Sequence, residues 1–168
     1  TSVVEGAGNL LTRSLDVGGK ILTCGNGGSA ADALHMAEEL IGRYLRDRQA
    51  LPSICLNADV TALTCISNDY GFDRIFSRQI EGLGKSGDVL VAFSTSGNSK
   101  NILLALETAR ERGIATILLS GKDGGSARSL CSHAIIVPSG TTARIQEVHT
   151  LIMHQWLEAI DVHFTSAK

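Results

Sequence analysis

Asp88-Val89-Leu90-Val91-Ala92-Phe93-Ser94-Thr95-Ser96-Gly97-Asn98-Ser99 decides the fold. Val89 to Phe93 is an unbroken apolar run of strand length, and from Lys100 to Arg112 the apolar spacing becomes helical. A strand with no polar alternation is buried on both faces, as in a parallel sheet. The hydroxyl residues Ser94, Thr95, Ser96 and Ser99 then fall where a strand gives way to a helix N-terminus. There, side-chain donors and free backbone N–H groups surround one point that suits a phosphate. Small polar residues also cap helices and make turns, but one cap needs one of them and this junction holds several.

The same strand-loop-helix pattern occurs earlier. Lys20 to Cys24 reads as a short buried strand, and Gly25-Asn26-Gly27-Gly28-Ser29-Ala30-Ala31-Asp32 as a glycine-rich turn opening a helix to about Tyr44. Further strands are expected at Pro52–Asn57, Ala115–Ser120 and Ala134–Val137, with helices at Ser2–Val17, Ile75–Leu83 and Thr142 to about Val162. Alternation of this kind implies an α/β fold, a three-layer αβα sandwich on a five-stranded parallel sheet. Ligands of such sheets bind beyond the carboxyl ends of the strands, so the loops at Gly25 and Ser94 can address one small molecule together.

The 168 residues, 43% of them hydrophobic, suit one buried core and a single domain. A net charge of −2 and 4% aromatic residues argue against nucleic acid as a partner. No run of eighteen apolar residues implies a membrane span, and the expected location is cytoplasmic. Cys24, Cys55, Cys65 and Cys131 lie in or beside apolar runs without C-x-x-C spacing, which predicts reduced core thiols. Two nucleotide motifs are weak. The Gly25 loop fits a loose dinucleotide fingerprint, but neither Asp47 nor Asp59 stands where the ribose-binding acid belongs; Gly84-Lys85-Ser86 ends like a P-loop, but Gln79 replaces its first glycine.

His35 and Glu39, four apart on the helix after the first loop, share a face. A structural histidine beside solvated acids explains them as well as a ligand pair does. On the terminal helix, Glu147 and His154 are nearly eclipsed, while Gln146 and His154 differ by about 80°, so periodicity selects no polar set among Gln146, Glu147, His149 and His154.

Cys24 to Asp32, His35-Met36-Ala37-Glu38-Glu39-Leu40, Asn68-Asp69-Tyr70-Gly71-Phe72, Ser94 to Ser99 and Arg144-Ile145-Gln146-Glu147 resemble phosphoheptose isomerases. These sugar isomerase (SIS) domain proteins, of flavodoxin-like fold, convert sedoheptulose 7-phosphate into D-glycero-D-manno-heptose 7-phosphate. The resemblance runs from about Gly18 to Val162 in the family's order. It implies one SIS domain over residues 1–168, whose N-terminal helix, residues 1–17, is incomplete and helps build a homotetramer. It implies that Ser94, Thr95, Ser96 and Ser99 hold the phosphate, and that Asn26, Gly27, Ser29, Arg43, Asp69 and Gln146 contact or order the sugar. It also implies zinc on His35, Glu39, Gln146 and His154, with Glu39 and His154 as the proton-transfer pair. Glu147 and His149 remain a solvated face or helix packing. Some SIS relatives, such as the protein that associates with the replication initiator DnaA, keep the loops but lack the His and Glu set and act as scaffolds. The presence of His35, Glu39 and His154 favours catalysis here. Apolar positions on the terminal helix, including Leu151, Ile152, Trp156 and Ile160, are expected to be surplus to one small sheet and to face other subunits.

Overall fold

The computed structural model describes residues 2–166. Five strands, β1 (Ile21–Gly25), β2 (Ser53–Cys55), β3 (Val89–Ser94), β4 (Ala115–Gly121) and β5 (His133–Val137), form one parallel sheet in the order β2-β1-β3-β4-β5. The helices are α1 (Val3–Asp16), α2 (Gly28–Ile41), α3 (Val60–Tyr70), α4 (Ser77–Leu83), α5 (Lys100–Glu111) and α6 (Thr142–Ser166). This flavodoxin-like order reverses direction between β1 and β3, the position at which doubly wound sheets open a crevice for ligand.

The unbroken apolar runs become central strands because each face has its own core. Val89, Val91 and Phe93 of β3 point with Ile21, Ile117 and Leu119 into a core completed by α1, α2 and α6. Leu90 and Ala92 point with Leu22, Cys24 and Leu118 into a second core under α3, α4 and α5. The expected three layers are therefore observed, with element ends that differ by a few residues.

Three sequence expectations are corrected. Helix α2 stops at Ile41 rather than near Tyr44: Gly42 donates its N–H to Glu38 O, and residues 43–50 follow an irregular path. Ile152, Trp156 and Ile160 are not surplus surface. They are buried in this chain's own core, where the Trp156 indole donates to Val4 O of α1 at 2.9 Å, and only Leu151 of the four is exposed. Cys65 lies on the surface of α3 rather than in the core; all four cysteines are unpaired, and burial pushes the Cys131 thiol up to about 12. Among the described residues no helix is long and apolar enough to cross a membrane.

Candidate active site

Strand pairing creates the site. Gly25 at the end of β1 pairs with Phe93, so the glycine loop and the serine loop leave the sheet side by side. The side chain of Asn57 prolongs the ladder on the outer edge of β1: it accepts from Gly25 N at 3.1 Å and donates to Gly25 O at 2.9 Å. Asn26 and Asn101 exchange two amide hydrogen bonds of 2.9 and 2.8 Å, tying the glycine loop to the first turn of α5.

The serine loop is braced from behind. Gly97 takes a left-handed φ of 64°, donates to the Ser94 hydroxyl at 3.2 Å and accepts from Ala127 N at 2.9 Å. Asn98 accepts from Ser126 N at 3.0 Å, and the Ser120 hydroxyl donates to Ser94 O at 2.6 Å. The turn after β4 thus holds the loop in place. In front lies a cleft of about 260 Å³ bounded by Asn26, Ser29, Ser94, Thr95, Ser96, Ser99, Thr142 and Gln146. Ser99 is the N-cap residue of α5, yet its side chain makes no cap bond, so capping does not account for it. The N-termini of α2 and α5 both rise beside this cleft, and neither carries an acidic residue in its first turn. Gly97 N and Asn98 N use the Ser94 and Ser96 hydroxyls as acceptors only, so partial positive charge and these O–H donors favour a bound anion.

Further along α2 is a second polar group. His35 Nε2 lies 3.2 Å from Glu39 Oε1, and the His35 and His154 rings stand edge to face with centroids 5.1 Å apart. Tyr44 stacks on the other side of His154, at 5.5 Å and 27°. One ligand atom from each of His35, Glu38 and Glu39 falls within 4.8 Å of the others. His35 and Glu39 are partly buried and Glu38 is exposed, and imidazole and carboxylate donors that already meet at this spacing fit a zinc ion. Gln146 stands just over two turns before His154, with its amide against Gly28 at the rim of the serine cleft.

Helices α2 and α6 run side by side in parallel: Thr150 of α6 donates to Asp32 of α2 at 3.0 Å. Burial pushes the Asp32 carboxyl up, against the lowering effect of that bond and of the neighbouring His149 and His35. His149 is fully buried beside it, with Nε2 3.1 Å from Ser120 O. Burial pushes the His149 imidazole down and favours its neutral form. The packing role expected for His149 is the one observed, and Glu147 is exposed.

Arg43 and Asp69 do not join the cleft. Arg43 is exposed beyond the far end of α2, about 20 Å of helix rise from Gly28. Asp69 is exposed on α3, where it accepts from Asn68 Nδ2 at 2.8 Å. Sequence reasoning missed Asp32, Tyr44, Asn57 and Asn101. Only Asp32 left a trace, standing three residues before His35 on the same helical face.

Fold and site together define an α/β domain with a serine-lined cleft suited to an anion and a His–Glu cluster further along the same helix. Residues 1–121 match the family model of the SIS domain. A phosphoheptose isomerase of Nitratiruptor sp. is 56% identical over 145 residues, covering 86% of this chain and 78% of that protein. One from Campylobacter jejuni is 54% identical over 158 residues, covering 94% and 85%. The solved phosphoheptose isomerase of Neisseria gonorrhoeae superposes with a TM-score of 0.90 at 45% identity, over 95% of this chain and 85% of that one. The chain belongs to the phosphoheptose isomerase family of SIS domain proteins.

Proposed function

We propose that the chain is an aldose–ketose isomerase that converts sedoheptulose 7-phosphate into D-glycero-D-manno-heptose 7-phosphate for heptose biosynthesis. The observation that carries this reading is the layout along α2. The serine-lined cleft lies at its start, and the His35–Glu39 pair lies roughly 9 Å of helix rise further on, from Ser29 to His35. An opened seven-carbon sugar phosphate spans a gap of that order, with its phosphate on the serines and C1 and C2 at the cluster. A dinucleotide would leave the serine hydroxyls without a task.

The chemistry asks for a base beside a carbon acid and an acid at the neighbouring oxygen; such groups typically contribute about 10²–10⁴-fold. Glu39 takes the proton from C1 of the open-chain ketose and returns it to C2 of the enediol. His154 gives a proton to O2 and removes one from O1, which leaves the aldehyde at C1. Ser94, Thr95, Ser96 and Ser99 anchor the phosphate, while Asn26, Gly27, Ser29 and Gln146 order the sugar between the two ends. We propose zinc as the metal of the site, on His35, Glu39 and His154, with Gln146 as the further donor implied by the resemblance; Glu39 and His154 would leave the metal when substrate arrives, because a metal-bound imidazole nitrogen has no proton to donate and a metal-bound carboxylate is a poorer base. When bound, the metal supplies Lewis-acid polarisation of the substrate oxygens.

Glu39→Gln should abolish turnover and solvent deuterium exchange at C1 while sparing binding of the sugar phosphate. Exchange at the wild-type rate would move the base elsewhere, with Asp69 the next residue to replace. Wild-type protein inactive with and without zinc, yet binding an initiator protein, would favour a scaffold.

We also propose a homotetramer. Val3, Leu151 and Val162 leave exposed apolar surface on α1 and α6, around a groove lined by Gly8, Thr12, Trp156 and Ala159. Arg43 and Asp69, which do not line the serine cleft of their own chain, would meet substrate through a neighbouring copy. A monomer by light scattering at micromolar concentration would refute this. Four unpaired cysteines support a reducing, cytoplasmic setting.

A further inference from the structure

A buried ion pair lies outside every group that touches substrate. Arg48 Nε donates to Asp161 Oδ1 at 2.7 Å, and both side chains are shut off from solvent. The rest of the guanidinium caps the end of α2, with Nη2 donating to Glu39 O at 2.7 Å and Nη1 to Leu40 O at 2.9 Å and Gln49 O at 3.0 Å. The second Asp161 oxygen accepts from Leu45 N at 2.7 Å and Arg46 N at 2.9 Å. Such a pair adds little net stability, because desolvation offsets the attraction between the charges. Its effect here is geometric.

Two parts of this network adjoin the cluster. The carbonyl at which Arg48 grips α2 belongs to Glu39 itself. The N–H groups held by Asp161 follow directly after Tyr44, whose ring stacks on His154. Asp161 is seven residues beyond His154, on nearly the same face of α6. The network therefore closes a loop from Glu39 through Arg48, Asp161 and Tyr44 to His154.

We propose that Arg48 and Asp161 are positioning residues that set Glu39 and His154 relative to one another for proton transfer. This rests on the isomerase reading above. Neither residue reaches the phosphate cleft, so their influence falls on the chemical step and not on binding.

The test uses two variants of the full chain. Arg48→Lys keeps the charge but lacks the planar fork that serves four acceptors. Asp161→Asn keeps the shape and one carbonyl oxygen for the Leu45 and Arg46 N–H groups. A displacement of about 1 Å can cost ~10²-fold in rate, so the expected kcat falls about 10- to 100-fold, with KM for sedoheptulose 7-phosphate unchanged. In protein carrying ¹³C-labelled histidine, the His154 Cε1–H resonance should lose the ring-current shift imposed by Tyr44. Folded variants with wild-type kcat would overturn the proposal. So would a fall in kcat with the His154 resonance unmoved, or failure of both variants to fold, which would make the pair structural. If the wild-type chain itself proves inactive, the isomerase reading fails, and the His154 resonance still decides the positioning.

Discussion

Gly97→Ala tests whether the turn after β4 holds the phosphate loop. An alanine Cβ at Gly97 would sit 1.9 Å from Gly124 O and 2.5 Å from Gly124 C, both backbone atoms that cannot rotate away. Ordinary contact requires one loop to retreat by about 1 Å or more. The left-handed φ of 64° adds about 1–2 kcal/mol for an L side chain. The retreat also breaks the bonds from Ala127 N to Gly97 O and from Gly97 N to Ser94, each worth about 1 kcal/mol net. The sum, about 3–4 kcal/mol, lowers Tm by roughly 10 °C in a chain of this size and leaves it folded at room temperature. Because the displaced atoms belong to the Ser94–Ser99 loop, affinity for sedoheptulose 7-phosphate, read by calorimetry, should fall with the stability. An alanine variant that melts within about 2 °C of wild type and binds substrate normally would show that the braced loop is not what holds the phosphate.

Other outcomes follow from single contacts. Gly82 in α4 has a helical backbone and open space where a Cβ would go, so Gly82→Ala should raise stability by about 0.5–1 kcal/mol in urea unfolding and leave kcat unchanged. Asn101→Ala strips the partner from Asn26 and should cost about 1–3 kcal/mol, raising KM more than it lowers kcat. Stability should fall in two stages on acidification. His149 is held neutral in the fold, so below about pH 6.5 the unfolded chain gains a proton that the folded chain does not bind. Burial pushes the Asp88 and Asp161 carboxyls up, but Lys20 with its N–H, and Arg46 N–H with Arg48, outweigh it and hold both below the usual range. Their contribution is complete above about pH 3.9 and lost as pH falls towards the folded values. Urea titrations showing no change from pH 7 to pH 5 would refute the first stage. Dialysis against a chelator should abolish turnover and zinc should restore it, while His154→Ala should weaken zinc binding by more than about 100-fold, read as bound metal.

The sheet was legible because its central strands are covered on both faces: Leu22, Val91 and Leu118 have no solvent side to interrupt the apolar run. The serine loop was legible because its hydroxyls outnumber what a cap can use. Contacts between distant segments left no such mark. Arg48 and Asp161 are 113 residues apart and read locally as ordinary surface charges. The apolar stripe of α6 shows which residues turn inward but not whose core receives them, and Val4, Leu11 and Met36 of the same chain do. The exposure of Cys65 depends on how α3 lies over its core, which an apolar neighbourhood in sequence does not report.

The parallel pairing of α2 with α6 also limits how such a chain can change over generations. Each helix works as a ruler, with Gly28, Asp32, His35 and Glu39 on one and Gln146, Thr150, His154 and Asp161 on the other. A side chain may be exchanged at one mark without disturbing the next. Deleting a single residue between Gln146 and His154 would instead turn every later mark by about 100° and draw it back by about 1.5 Å. His154 and Asp161 would swing away together from an otherwise intact serine cleft. Insertions and deletions should therefore be tolerated at the exposed turn around Gly140, where a Cβ would meet open space, and be lethal to turnover within either ruler.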